Sequence, residues 1–264
     1  MGKIAKTIKL VKLKLRNQQI NKRVNRFIEQ NKDKPLPPRE SDLKPEIVIP
    51  CYNHGQYLEA ALKSVPPGVP VTIINDLSTD NSLEIIKELK NRFDFKLINN
   101  EVNLNMHGSL NKAVELSNNN LFIMLNADDV LNNLTIKTIM YFYEQLPTIR
   151  LLGGGALAFS DDSCLRFNQI LPDFLPYIPK HKIYNQTNAK HYQHMNDINM
   201  TMSGSSFLKS AWQAVGGFYP YKKRVCTYDD RDFHIRVSSL FDVAIIEEPL
   251  AFYRVNTGIG VGQQ

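Results

Sequence analysis

Strands and helices alternate four times in the middle of this 264-residue chain, and this alternation constrains its fold more than any other feature. Short apolar runs predict strands, and each is followed by a stretch whose apolar residues recur at helical spacing. The predicted strands are residues 47–49, 71–74, 96–98 and 121–125, and the predicted helices are residues 57–64, 82–90, 109–117 and 134–145. Strands that are apolar throughout are typical of a parallel sheet covered on both faces. The sequence therefore predicts an α/β fold on such a sheet.

The positive charge of the chain, +6 overall, is concentrated at its N-terminus. Residues 1–34 contain eleven Lys or Arg and two acidic residues, a net charge of +9, whereas the remaining 21 basic and 24 acidic residues give −3. A domain that embraces nucleic acid carries its positive charge on the folded body, so we expect no nucleic-acid partner. We divide the chain into a basic arm at residues 1–34, a proline-rich linker at residues 35–44 and a folded domain at residues 45–264.

The basic arm has the pattern of an amphipathic helix. Its apolar residues form two stripes on nearly opposite sides, Ile4, Ile8, Val11 and Leu15 on one and Leu13, Ile20, Val24 and Phe27 on the other. We expect the helical register to change between them. Two interpretations stay open, an interfacial helix on an anionic membrane and a basic helix that packs on the domain.

Localisation follows from what the sequence lacks. No apolar run approaches the length of a membrane-spanning helix, and the regularly spaced lysines of the arm interrupt the apolar core that a secretory signal needs. The three cysteines are widely spaced and match neither a disulfide framework nor a C-x-x-C metal site. We expect a cytoplasmic protein that lies peripherally on the inner face of the membrane.

Polar clusters follow three of the predicted strands, at residues 50–54, 75–80 and 126–129. Ligands bind outside the carboxyl ends of parallel strands, so these clusters are expected to meet at one edge of the sheet. We expect Asp80 to cap the following helix. Asp128 and Asp129 precede their helix by several residues, and a pair of carboxylates suits Mg²⁺ or Mn²⁺ held against a diphosphate.

Five motifs in order carry a resemblance to a known family. Residues 48–53 are similar to V-I-P-x-Y-N, residues 73–82 contain a match to V-D-D-G-S-T-D-N-S, and residues 125–129 resemble L-D-x-D-D. The acids of residues 229–232 and the closing residues 253–256 resemble an E-D pair and Y-R-x-H. These are motifs of the inverting, family 2 glycosyltransferases. The resemblance, over residues 45–256, implies a GT-A type fold: a Rossmann-like, mixed, mainly parallel sheet with a nucleotide-binding half at residues 45–130 and an acceptor half at residues 131–264.

The sequence departs from the family pattern at several positions. Asn126 replaces the first acid of L-D-x-D-D, and Asn256 replaces the closing histidine. In the stretch that resembles N-x-G to R-N, Asn105 stands where glycine is usual and Leu110 where arginine is common. These departures motivate one alternative, a catalytically degenerate scaffold that binds nucleotide sugars. A sugar nucleotidyltransferase is the other, although its glycine- and arginine-rich loop after the first strand is missing.

The resemblance also implies residue roles. Asp76 contacts the uracil of a UDP-sugar donor, Asp128 binds Mn²⁺ or Mg²⁺, and Asp230 is the catalytic base. The residues implied to line the donor and acceptor sites are Pro50, Tyr52, Asn53, Asn111, Asn126, Ala127, Gly217 and Asp229. The implied reaction moves a sugar from the UDP-sugar to a hydroxyl of a glycan or lipid-linked acceptor.

Helical spacing after the acids of residues 229–232 predicts which of them face the protein. Phe233, Val237 and Leu240 recur as one buried stripe. Asp229 and Asp230 lie close to that stripe, whereas Asp232 is rotated away, toward solvent or an ion pair with Arg236.

Overall fold

The computed structural model describes residues 2–162, 180–184, 200–255 and 257, so Asn256 lies outside the described residues. The helices are α1 Gly2–Asn31, α2 Leu58–Lys63, α3 Ser82–Leu89, α4 Asn105–Leu116, α5 Thr135–Gln145, α6 Lys209–Val215 and α7 Asp229–Ser238. The strands are β1 Pro45–Cys51, β2 Val71–Asn75, β3 Lys96–Asn99, β4 Leu121–Met124, β5 Val130–Leu131, β6 Ile149–Phe159, β7 His181–Tyr184, β8 Ser206–Leu208 and β9 Asp242–Arg254.

One curled sheet joins these strands in the order β3-β2-β1-β4-β8-β6-β9-β5, with β7 also paired to β9. β1 to β4 are mutually parallel, β8 runs antiparallel to both β4 and β6, and β6 is parallel to β9. The prediction of a mixed, mainly parallel sheet is confirmed, as are its four strand–helix units. α4 begins four residues earlier than predicted, because Asn105 adopts a left-handed backbone and starts the helix there.

Helices cover both faces of the sheet and make two hydrophobic cores. Ile47 and Ile49 of β1 point into one core, which also contains Leu58 of α2. Val48 points into the other, together with Phe122 and Phe233. Burial on both faces is why β1 is apolar at consecutive positions.

The basic arm is one continuous helix, so the expected change of register is wrong. Its second half packs on the domain: Ile20 and Val24 are buried against Val225, Cys226 and Ile235, which belong to the segment before α7 and to α7 itself. Leu15, on the other stripe, remains 55% exposed. The interpretation that this basic helix packs on the domain therefore holds for the stripe that contains Ile20 and Val24.

Hydrogen bonds fix the helix and the linker to the domain. Arg23 donates to the Arg224 carbonyl at 3.1 Å, and Arg39 of the linker donates to the Tyr143 carbonyl at 2.6 Å. Glu40 accepts from the backbone N–H of Ser210 at 2.7 Å. Across the part of the chain that the structure describes, no helix is both long enough and apolar enough to span a bilayer.

Candidate active site

The loops after β1 and β2 are bonded to each other at the carboxyl edge of the sheet. Asn53 donates its backbone N–H to Ser78 Oγ at 3.1 Å, and its Oδ1 accepts from the Thr79 N–H at 2.8 Å. Tyr52 beside it is 37% exposed, and Pro50 is partly exposed near the end of β1. The three residues assigned to the nucleotide pocket thus lie together at this edge. Asp80 accepts from the Ser82 N–H at 2.9 Å, so it binds the first helical N–H as expected, but the N-cap position itself is Asn81.

Asp76 connects the end of β2 to the segment before α4. It is buried, and its Oδ1 accepts from Asn100 Nδ2 and from the Leu104 N–H, both at 2.8 Å. No described residue donates to Oδ2. The carboxylate therefore orders the loop around it and keeps one oxygen for a ligand donor.

Three non-glycine residues at this edge have left-handed backbones: Asn53 at φ 56°, Leu77 at φ 59° and Asn105 at φ 58°. Asparagine tolerates this conformation, which explains how Asn105 replaces the glycine of the family pattern. Leu77 stands at the glycine of V-D-D-G-S-T-D-N-S and is 43% exposed. A side chain of this kind costs about 1–2 kcal/mol in this conformation. A leucine at the glycine position of this motif already indicates a strained left-handed residue, and our predictions did not include Leu77.

Asp128 and Asp129 point in different directions, so the expected pair of carboxylates at one ligand site is wrong. Asp129 is buried and accepts from Ser203 Oγ at 2.6 Å and from the Arg254 N–H at 3.0 Å. Burial raises the pKa of the Asp129 carboxyl to about 6. Asp128 instead accepts from Thr257 Oγ1 at 2.6 Å, beside the loop that follows β1.

Asn126 and Ala127 precede this pair. Asn126 donates its side-chain N–H to Asp129 Oδ2 at 3.1 Å, and its own Oδ1 is buried with no hydrogen-bond partner among the described residues. Such an orphaned oxygen is costly unless a ligand or cation completes it. Ala127 is buried in the hydrophobic core, which gives it a packing role that the sequence-based assignment did not include.

The acids of α7 also separate. Asp229 forms an ion pair with Arg224, and burial raises its pKa above the usual range, with the charge of Arg224 opposing that shift. Asp230 is half-buried and accepts from the Arg231 N–H at 2.7 Å. Both acids lie in the first turn of α7, where the helix dipole favours negative charge.

Asp232 is fully buried, so the expectation that it turns toward solvent is wrong. Its ion pair with Arg236, at 2.7 Å, confirms the other half of that expectation. Its Oδ1 accepts from the Val225 N–H at 2.6 Å. The predicted stripe of Phe233, Val237 and Leu240 is buried. Asp232 faces inward because Arg236, also fully buried, needs a partner there.

Asn111 and Gly217 form a joint between α4 and the turn after α6. Asn111 Oδ1 accepts from Trp212 Nε1 at 2.9 Å and from the Phe218 N–H at 2.8 Å, and its Nδ2 donates to the Phe218 carbonyl at 2.9 Å. A Cβ on Gly217 would lie 2.6 Å from Asn111 Oδ1. These contacts give both residues a structural role that the assignment to substrate binding did not include. Leu110 is fully buried in the core, so leucine fits the fold where the family has arginine.

His107 of α4 connects the two sides of the site. Burial lowers its pKa and the charge of Arg224 adds to this, whereas the charges of Asp229 and Asp76 oppose it. Its Nδ1 is buried without a hydrogen-bond partner in the described part of the chain. The histidine therefore lies within electrostatic range of the nucleotide side and of α7. No motif pointed to it, and its position on α4 was the only signal in the sequence.

Arg254, at the end of β9, holds the Asp128–Asp129 loop. Its Nε donates to the Asp128 carbonyl at 2.9 Å, and its guanidinium lies 4.9 Å from the Tyr57 ring centroid and pairs with Asp162. It stands at the arginine of the closing motif, to which our sequence analysis assigned no role. Arg254 thus fixes a loop that lies 126 residues before it in the chain.

The donor atoms at this edge fit a divalent cation that a diphosphate shares. The described residues contain no group of three or more His, Cys, Asp or Glu placed to hold a metal by themselves. Mg²⁺ and similar cations commonly take one or two carboxylates, with waters and substrate phosphates completing their coordination. Asp128 supplies one such carboxylate, and Asn126 Oδ1, two residues before it, is a further oxygen without a partner among the described residues.

Comparison with known sequences identifies a family over much of the chain. The sequence model described as Glycosyl transferase family 2 matches residues 46–205. Poly-beta-1,6-N-acetyl-D-glucosamine synthase of Staphylococcus epidermidis is 34% identical over 90 residues, which are 33% of this chain and 22% of that protein. Poly(ribitol-phosphate) beta-N-acetylglucosaminyltransferase TarS of Staphylococcus aureus is 24% identical over 110 residues, 39% of this chain and 19% of that protein. The matched region thus spans a small part of these curated relatives.

Solved structures match over a larger share. S. aureus TarS 1–349 in complex with UDP-GlcNAc aligns with a TM-score of 0.61 at 15% identity, covering 82% of this chain and 60% of that one. Mannosyltransferase PcManGT from Pyrobaculum calidifontis, in complex with GDP-Man and Mn²⁺, aligns with a TM-score of 0.55 at 13% identity, covering 91% and 67%. These structures share the fold, and the family match covers more than half of the chain. The chain therefore belongs to glycosyl transferase family 2, and the expected family and its GT-A type fold are confirmed.

Proposed function

We propose that this protein is an inverting, metal-dependent glycosyltransferase that moves a sugar from a UDP-linked donor to a hydroxyl of a glycan or lipid-linked acceptor. The observation that carries the proposal is that acidic groups from distant parts of the chain lie within electrostatic range of one histidine. Asp76 lies at the carboxyl edge of the parallel strands, Asp229 and Asp230 begin α7, and His107 lies within electrostatic range of Asp76 and Asp229.

The nucleotide side would hold the donor by its base. Asp76 Oδ2 accepts a hydrogen bond from the uracil N–H, while Oδ1 keeps its bonds to the protein. Pro50, Tyr52 and Asn53 line the same edge. Asn100 and Leu104 already orient the Asp76 carboxylate, so this side chain does not have to be ordered when the nucleotide binds. This preorganisation supports the assignment.

Asp128 and Asn126 would hold the cation. When bound, Mn²⁺ or Mg²⁺ neutralises negative charge that develops on the leaving diphosphate. The protein's own part is to fix the position of Asp128 through Thr257 and Arg254. The side-chain N–H of Asn126 is already bonded to Asp129, so its uncharged amide oxygen is the atom that would bind the cation.

Asp230 is proposed as the base. The acceptor oxygen bonds to the anomeric carbon while the bond from that carbon to the phosphate oxygen breaks, and the hydroxyl proton passes to the Asp230 carboxylate. Attack opposite the leaving group inverts the anomeric centre. Asp229 is engaged by Arg224, and this supports the neighbouring acid as the one that meets the acceptor.

UDP-N-acetylglucosamine is the first donor to test. The two relatives from staphylococci are named for N-acetylglucosamine, and the TarS structure is a complex with UDP-GlcNAc. GDP-mannose is the contrasting donor, since PcManGT is a mannosyltransferase crystallised with it. A screen for nucleotide release from both, and from other UDP-sugars, with Mn²⁺ and with a chelator, tests the function directly.

Calorimetry of UDP binding separates this proposal from its alternatives. We expect Asp128→Ala to lower UDP affinity in Mn²⁺ to the value seen with a chelator, whereas Asp94→Ala, at an exposed acid before β3, leaves it unchanged. Equal UDP affinity with Mn²⁺ and with chelator would contradict metal dependence. Tight binding of UDP-sugars without turnover of any donor would favour the scaffold alternative.

The N-terminal arm is proposed to hold the enzyme on an anionic membrane, on the cytoplasmic face where lipid-linked acceptors are found. Residues 1–13 contain four lysines, and each basic residue near such a surface contributes about 1 kcal/mol. Because the second half of α1 is buried against the domain, the informative truncation removes residues 1–13 only. We expect this truncation to abolish co-sedimentation with anionic vesicles at low salt. Retained binding to those vesicles would exclude the segment as the anchor.

A further inference from the structure

His54 and Asp128 face each other across a short gap at the carboxyl edge of the sheet. His54 Nδ1 lies 3.9 Å from Asp128 Oδ2, and their side chains are only 20% and 14% exposed. His54 follows Asn53 in the loop after β1, whereas Asp128 belongs to the loop after β4. No motif used in the sequence analysis includes this histidine.

The gap is too long for a hydrogen bond, which needs about 3.2 Å or less between nitrogen and oxygen. Two metal–ligand bonds of about 2.1 Å each span about 3.0 Å when perpendicular and about 4.2 Å when opposite, so a cation between these atoms would bind them at a wide angle. Each side is also held separately. The His54 ring packs edge-on against Tyr57 with centroids 5.7 Å apart, and Asp128 is fixed by Thr257 at 2.6 Å. Two oriented donors that face each other without bonding are arranged for a third atom between them.

We propose that His54 Nδ1 binds the same divalent cation as Asp128. This inference rests on the proposed metal-dependent function and adds a nitrogen to its oxygen ligands. Mg²⁺ prefers oxygen ligands, and imidazole affinity is greater for transition metals. The protein should therefore select Mn²⁺ over Mg²⁺, and His54 should be the cause.

Pulsed electron paramagnetic resonance of the full chain with Mn²⁺ and UDP tests this without any turnover. Electron spin-echo envelope modulation detects a nitrogen bonded directly to Mn²⁺. We expect modulation from one imidazole nitrogen, and its frequencies should change when the protein carries ¹⁵N-labelled histidine. This measurement uses the unmodified protein, so it does not depend on whether a variant folds.

Two histidine variants assign the nitrogen. His54→Gln should abolish the modulation and remove the preference for Mn²⁺ over Mg²⁺. It should also weaken Mn²⁺ binding at least about tenfold, because even the loss of a residue that only contacts a metal ligand has an effect of this size. His107→Gln is the matched control, since His107 lies at the same cleft but faces Asp76 and Asp229. It should retain the modulation.

The outcomes distinguish this inference from the function on which it rests. Nitrogen modulation that His54→Gln removes and His107→Gln retains supports the inference. Mn²⁺ that binds with UDP but shows no directly bonded nitrogen overturns the role of His54 and leaves metal dependence intact. Failure of Mn²⁺ to bind at all overturns both.

Discussion

The proposed nucleotide side and the proposed acceptor side of this site are built over very different distances along the chain. On the nucleotide side, Asn53 bonds to Ser78 and Asp76 bonds to Leu104, and the partners are 25 and 28 residues apart. On the acceptor side, Arg23 of α1 bonds to Arg224 across 201 residues. Both sets of contacts position acidic side chains within electrostatic range of His107.

This difference predicts that the two sides can be disturbed separately. Successive strand–helix units make the nucleotide side, so its loops depend on their immediate neighbours in the sheet. The acceptor side depends on a helix from the other end of the chain, which packs on Val225 and Ile235 next to Asp229 and Asp230.

Asp230→Asn should remove catalysis and spare nucleotide binding. We expect turnover to fall about 10²- to 10⁴-fold, roughly 3 to 5 kcal/mol of barrier, because the amide cannot accept the acceptor proton. UDP affinity measured by calorimetry should be unchanged. Asp229→Asn, which leaves Arg224 without its partner, is the matched comparison and should cost less turnover. If Asp229→Asn abolishes transfer while Asp230→Asn does not, the base is Asp229.

Acid should weaken the acceptor side through His234. Burial lowers the pKa of this histidine to about 4, whereas its unfolded value is near 6.5. Between pH 6.5 and pH 4, the unfolded chain therefore binds a proton at His234 that the folded chain does not bind. The free energy of unfolding thus has its full value above pH 6.5 and decreases as the pH falls toward 4. The loss should reach about 3 kcal/mol.

Urea unfolding followed by the fluorescence of Trp212, the single tryptophan, measures this loss at pH 7 and at pH 5. His234→Gln should show a smaller decrease between the two pH values than the unmodified protein shows. An equal decrease in both proteins would exclude His234 as its source.

Val24→Ala should destabilise the acceptor side from a distance. Val24 is fully buried, so we expect a loss of about 2 kcal/mol of unfolding free energy, together with weaker acceptor use and unchanged UDP affinity. Leu15→Ala on the same helix is the matched control, because Leu15 is 55% exposed. Urea unfolding of both variants gives the comparison, and an equal loss of UDP affinity would contradict the separation of the two sides.

Leu77→Gly should change the nucleotide side alone, by the smallest amount. Glycine removes the left-handed strain of about 1–2 kcal/mol but has a larger backbone entropy in the unfolded chain, which leaves a gain of up to about 1 kcal/mol. Thermal unfolding with and without UDP measures it. Leu77→Ala keeps a Cβ and should show no such gain, and a gain equal to that of glycine would exclude strain as the cause.

The contrast also explains which parts of the molecule the sequence could predict. Strand–helix periodicity and short motifs predicted that Asn53, Asp76 and Asp128 lie at the carboxyl edge of the sheet, because such motifs reflect contacts within one or two strand–helix units. The inward position of Asp232 depends on Arg236, and the role of Arg254 depends on a loop 126 residues before it. Helical spacing placed Arg236 within reach of Asp232 but did not show that both side chains are buried, and the contact of Arg254 with the Asp128 loop spans too many residues for any spacing pattern to contain it.

The buried face of α1 has a consequence for protein synthesis. The helix is synthesised before its partners at Val225 and Ile235, which are about 200 residues further along the chain. At about 5–20 residues per second, the ribosome needs on the order of ten to forty seconds to reach them. Throughout that interval the nascent chain exposes Ile20 and Val24 beside many positive charges. Crosslinking of chains stalled before residue 224 should therefore capture this helix on an anionic membrane or a chaperone, and release should follow once α7 emerges.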